Sequence, residues 1–227
     1  MRDDSRTLMP LLFGLTFLSG LIDAVSFLQL GRVFVANMTG NVVLLGFAIA
    51  GAKGISIAGS LIALAAFMFG ALIGGRLSRS FGESGARVLA LAAGIKILFL
   101  IAAATAAWIF GTADAAAYTV ITLLGIPMGL QTAAVRSLGI PDITTTVLTS
   151  TITGIAADSS LAGGENTRIR RRITSVALMF AGALLGAFVV FRFGVVAAIA
   201  AATLVLAIVS AVAWRLTQRA TMLRQSG

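Results

Sequence analysis

A carboxylate stands inside an apolar run. Asp23 lies in the stretch GLIDAVSFLQLGRVFVANMTGNVVLLG, residues 20–46. Hydrocarbon does not hold an ionisable group idly, so an acid there is a functional candidate by default. Thr16, Ser19, Asp23 and Ser26 follow one another at spacings of 3, 4 and 3 and share one helix face. A polar stripe on an apolar helix faces protein or water rather than lipid. The chemistry open to Asp23 is that of a proton or cation site, or a substrate contact. The alternative is a structural carboxylate bonded to backbone donors or paired with a base. Lys96, too deep in its own apolar segment to reach the interface easily, is the candidate base, as a structural partner or a coupling one.

Further candidates follow the acid. Asn37-Met38-Thr39-Gly40-Asn41 sets amides and a hydroxyl beside a glycine, which suits a break in a helix with Asn37, Thr39 and Asn41 facing a cavity. In the second half, Pro141-Asp142-Ile143-Thr144-Thr145-Thr146 holds an acid and a threonine run. Hydroxyls there have a bland use, bonding back to the preceding turn; Asp142 has no such refuge. Histidine and cysteine are absent, which removes a Ser–His nucleophile, imidazole or thiolate metal ligands and disulfides. No nucleotide-binding loop is present. Neither an enzyme, a resident metal nor a cofactor is expected.

The elements that must position these residues are membrane helices. The 227-residue chain is 59% hydrophobic and 11% charged, with mean hydropathy +1.03, where a soluble domain carries about 25% charged residues. Six apolar segments near spanning length stand at 8–30, 54–77, 87–110, 116–138, 173–191 and 195–214; two more, at 33–52 and 140–162, are interrupted by polar residues and glycine. The charged start followed by an apolar run imitates a signal peptide, but Asp23 and the lack of a clean small-x-small site argue against cleavage. We read one integral membrane domain over 1–227.

Basic residues arbitrate the topology. The net charge is +9, and positive residues favour the cytoplasmic side. If all eight segments crossed, in a 4+4 arrangement, Arg76, Arg79, Arg87 and Arg136 would lie outside. If the two interrupted segments enter and return on one side, only Arg32, Lys53 and Arg192 remain outside. The expectation is six transmembrane helices plus two re-entrant or broken elements, with both termini cytoplasmic. Nucleic-acid binding is not expected, since no solvated basic module is visible. The lipid bilayer is the expected partner, with a small solute or ion.

The halves repeat. Laying Leu30-Gly31 on Leu138-Gly139 brings Gly46 to Gly154, Asp23 to Gln131, and Asn37 and Asn41 to Thr145 and Thr149. Phe69-Gly70-Ala71-Leu72-Ile73-Gly74 then answers Ala181-Gly182-Ala183-Leu184-Leu185-Gly186. Three spans per repeat, over 8–110 and 116–214, would insert the second half upside down, as in many secondary transporters. The paired glycines are more often packing seams than ligand contacts, and a homodimer face is the other use open to them. The function expected is a small secondary transporter or permease, coupled to protons or a cation through Asp23. A passive channel or facilitator, and a non-transporting assembly subunit, stay open.

With Gly20-Leu21-Ile22-Asp23-Ala24, Asn37-Met38-Thr39-Gly40-Asn41 and the paired FGALIGG and AGALLGA segments, the chain resembles the YoaK-like family of uncharacterised bacterial membrane proteins over nearly its whole length. The resemblance implies a bacterial inner-membrane protein and assigns no functional residue.

Overall fold

A computed structural model describes residues 2–80, 85–139, 148–166 and 168–225. The expected elements are present as α1 (Arg2–Gln29), α2 (Met38–Ile49), α3 (Ile57–Ser80), α4 (Gly85–Phe110), α5 (Asp114–Ser137), α6 (Leu148–Ala157) and α7 (Ile169–Gln225). No strand occurs among the described residues. Among the described residues, five helices are long and apolar enough to cross a membrane: Leu8–Gln29, Ile57–Ser80, Arg87–Phe110, Ala115–Ser137 and Ile169–Val212. The last runs for 44 residues, about twice what a hydrocarbon core of roughly 30 Å requires at ~1.5 Å per residue. It is broken at Gly194, whose φ of 82° and ψ of 178° lie in a region essentially reserved for glycine. The segments expected at 173–191 and 195–214 flank that break.

Large apolar side chains face outward around an apolar core that also holds a few polar groups. Trp108, Phe110, Met68, Phe180, Phe191 and Phe193 are exposed on the outer faces, while Ser19, Ser26, Asn41, Lys96 and Gln131 are buried. Such an apolar exterior suits lipid as the surrounding solvent. The apolar window of α1 is 67% buried and that of α5 61%, against 33% for α3 and 39% for α4. The first and fifth helices are therefore the central ones.

Two glycine seams hold the helices together. A methyl at Gly70 would overlap the carbonyl oxygen of Ile126, and one at Gly74 would stand 2.6 Å from that of Leu130. On the other seam, a methyl at Gly182 would overlap the carbonyl of Phe17, and one at Gly186 would stand 2.6 Å from that of Leu21. In both seams residue numbers rise together, so α3 runs parallel to α5, and α7 before its break runs parallel to α1. Backbones this close gain dispersion contact along their length, the main source of helix association in lipid.

One connection decides how α2 sits. Gly31 ends α1 with φ 84°, and the Ser56 amide donates to the Gly31 carbonyl at 3.1 Å. Ser56 then caps α3, its Oγ accepting from the Gly59 amide at 2.9 Å. The chain thus leaves α1 at Gly31 and is back beside it at Ser56, where α3 begins. α2 is an excursion between these two points.

Candidate functional site

The chain from Val33 to Asn37 is neither helix nor strand, yet Val33, Val35 and Ala36 are buried. Backbone amides in such a place need partners. Asp23 supplies two: its Oδ1 accepts from the Val35 amide at 3.0 Å and from the Ala36 amide at 2.7 Å. Asn41 supplies the next pair. Its Oδ1 accepts from the Phe34 amide at 2.8 Å, and its Nδ2 donates to the Phe34 carbonyl. Asn37 caps α2, its Oδ1 accepting from the Gly40 amide at 3.2 Å. The Phe34 ring stacks on Phe27 with centroids 4.9 Å apart. Gly40 leaves room for that ring, since a Cβ there would approach it to 2.8 Å. Side chains from 23 to 41 thereby lock one non-helical turn against α1.

The Asn37 amide also acts on the Asp23 carboxylate, but the two bonds within hydrogen-bond distance both fall on Oδ1. Oδ2 is buried and has no hydrogen-bond partner. Lys96, on α4, is fully buried, and its Nζ donates to Oε1 of Gln131 on α5. The expected Asp23–Lys96 pair is therefore not a contact pair. The two charges interact through the interior, but Lys96 takes its hydrogen bond from a neutral amide.

The remaining candidates divide. Thr16 and Ser19 donate to the carbonyls of Leu12 and Leu15 at 3.0 and 2.9 Å, and Ser26 donates to that of Asp23 at 3.2 Å. The stripe faces the interior as expected, but its hydroxyls are satisfied within α1. Thr39 lies on the exposed face of α2. Asp142 and Thr145 lie outside the described residues. Missed from sequence were Phe34, Val35 and Ala36, which act through their backbones. The one signal for them was the spacing of Asn37 and Asn41 around a glycine. In the second half, Arg172 of α7 donates through Nη1 to the Gly154 carbonyl and to Oδ2 of Asp158, both at 2.6 Å, tying the end of α6 to α7.

An apolar exterior, a few buried polar side chains in an apolar core and a bundle of span-length helices define an all-α polytopic membrane protein. The chain belongs to the family described as "Protein of unknown function (DUF1275)", which matches residues 11–212. The UPF0700 transmembrane protein YoaK of Bacillus subtilis (strain 168) is 39% identical over 146 residues. That match spans 63% of this chain and 63% of the relative's length. The resemblance carried by Gly20–Ala24 and Asn37–Asn41 is thereby borne out. No solved structure matches the chain.

Proposed function

We propose that this protein is a small secondary transporter of the bacterial inner membrane, moving a small solute past Asp23 between two inverted repeats. The observation that carries the reading is the excursion closed by Gly31 and Ser56. Entry and return on one side make α2 a re-entrant element, and its turn reaches Asp23, about two helical turns or roughly 12 Å below the end of α1. With α7 counted as two spans, six helices cross, both termini are cytoplasmic, and the basic residues fall mostly inside. Non-helical backbone at that depth belongs where protein surrounds it or a cavity adjoins it.

The two parallel glycine seams support the inverted repeat, because each places the first span of one half against the second span of the other. Their pairings put Gly20 in the place of Gly129, so Asp23 corresponds to Thr132 within the helix body, one residue from the Gln131 that alignment through Leu30-Gly31 selects. No enzyme chemistry is part of this reading. The free Oδ2 of Asp23 is the atom that would take up and release a coupling proton, with Lys96 the charged group that interacts with it.

A passive facilitator is the second reading. It is favoured by the two backbone bonds on Oδ1, which give the carboxylate a structural role without coupling. Reconstitution in phosphatidylethanolamine/phosphatidylglycerol vesicles tests both, by uptake of a panel of radiolabelled small polar metabolites with and without an inward pH gradient. Gradient-driven uptake lost in Asp23→Asn is expected. Uptake that ignores the gradient and survives the substitution selects the facilitator, and no uptake of any solute refutes both. Because the chain lacks cysteine, Lys53→Cys gives a clean topology test. Labelling by an impermeant maleimide is expected from outside, whereas eight crossings would put that residue in the cytosol.

A further inference from the structure

Among the described residues the interior carries one acid and one base on different helices, α1 and α4, that do not bond each other. Asp23 has a buried oxygen, Oδ2, with no partner, while its Oδ1 is held by Val35 and Ala36. An ammonium group has three donors, and Lys96 directs one to Gln131. Both groups are deep in the bundle, 5% and 0% exposed, and each feels the other's charge. On α5, next to Gln131, the Thr132 hydroxyl is also buried without a partner.

Charge balance in a low-dielectric interior limits what can enter such a place. A lone cation would answer Asp23 and be repelled by Lys96; a lone anion would do the reverse. A neutral solute would answer neither charge. A molecule with both an ammonium and a carboxylate satisfies both groups and leaves the net charge of the interior unchanged, whether the site is empty or filled.

We infer that the solute is a small zwitterion of the amino-acid type, its ammonium group bound at Oδ2 of Asp23 and its carboxylate at Nζ of Lys96. This rests on the transporter reading and narrows it. Gln131, holding Lys96, acts as a positioning residue.

The test is thermal melting of the purified full-length protein in detergent, at constant ionic strength, with six probes. Glycine, β-alanine and γ-aminobutyrate are zwitterions of growing charge separation; acetate, methylammonium and glycolamide carry one charge, the opposite one, or none. At least one zwitterion is expected to raise Tm in a saturable way beyond all three controls. Its affinity is expected to fall at least about tenfold in Asp23→Asn and in Lys96→Met. Should either single variant fail to fold, Asp23→Asn/Lys96→Met, which buries no unpaired charge, serves in its place and is expected to melt cooperatively without responding to any zwitterion. Acetate or methylammonium matching the best zwitterion overturns the inference, as does a zwitterion response that survives in the double variant, or no response to any of the six. The metabolite-panel uptake assay is read separately, so a failed zwitterion test leaves transport of another solute class standing or falling on its own result.

Discussion

Asp23 and Lys96 are the two charged side chains buried among the described residues, and the fold treats them differently. The carboxylate receives two backbone amides from a turn that has no other acceptor for them. The ammonium receives a single neutral amide oxygen from the neighbouring helix. Depth in the membrane therefore does not by itself separate structural from working charges. Asp23 builds the turn that leads into α2, whereas Lys96 bonds Gln131 on the neighbouring helix.

The contrast is broken or sharpened by substitution, and the largest effect is expected at the acid. Asp23→Ala strands the Val35 and Ala36 amides and leaves Lys96 without its counter-charge, a loss of about 3–5 kcal/mol. Size-exclusion and melting profiles in detergent should show little folded protein; wild-type stability would mean the turn is held by something else. Asn41→Leu comes next. It strands both backbone groups of Phe34, at about 1–3 kcal/mol for each unsatisfied group, and a lowered denaturation midpoint is its readout.

Lys96→Met should cost less, about 3 kcal/mol, since it leaves the buried Asp23 without its counter-charge while the acid keeps its two backbone donors. Uptake should nevertheless disappear. If Lys96→Met proved more damaging to folding than Asp23→Ala, the contrast would be reversed. In a double-mutant cycle, adding Lys96→Met to Asp23→Asn should recover part of the stability lost by Asp23→Asn; strict additivity would mean the charges do not sense each other. The smallest effect is expected for Asp158→Asn. The Arg172–Asp158 pair is 47% exposed on its acidic side, and solvent screening limits it to about 0–1 kcal/mol. A melting shift of a degree or less would agree.

Much of this was legible in the chain. Apolar length marks the spans, and glycine pairs mark the seams, because both depend on residue type alone. Gly31 and the Asn37–Asn41 cluster mark where the helix stops and a polar element begins. The partners were not legible. The donors to Asp23 are backbone amides of Val35 and Ala36, and any residue has an amide, so no side chain advertises the contact. The depth of Lys96 in its apolar segment marks it as buried, but only the rotation of α4 against α5 selects Gln131 over Asp23. Likewise, Thr16, Ser19 and Ser26 had the spacing of a working stripe, and their short side chains reach their own helix's carbonyls first.

The locked turn also has a consequence for synthesis. Every bond that fixes it joins residues no more than 13 positions apart, so the acid gains its donors as soon as the nascent chain has emerged past Asn41. The face of α1 around Gly20 has the opposite fate, because its neighbours Met179 and Ala183 are made long afterwards. The first helix can therefore close its hook from local residues alone, while the flank around Gly20 stays uncovered until α7 is made.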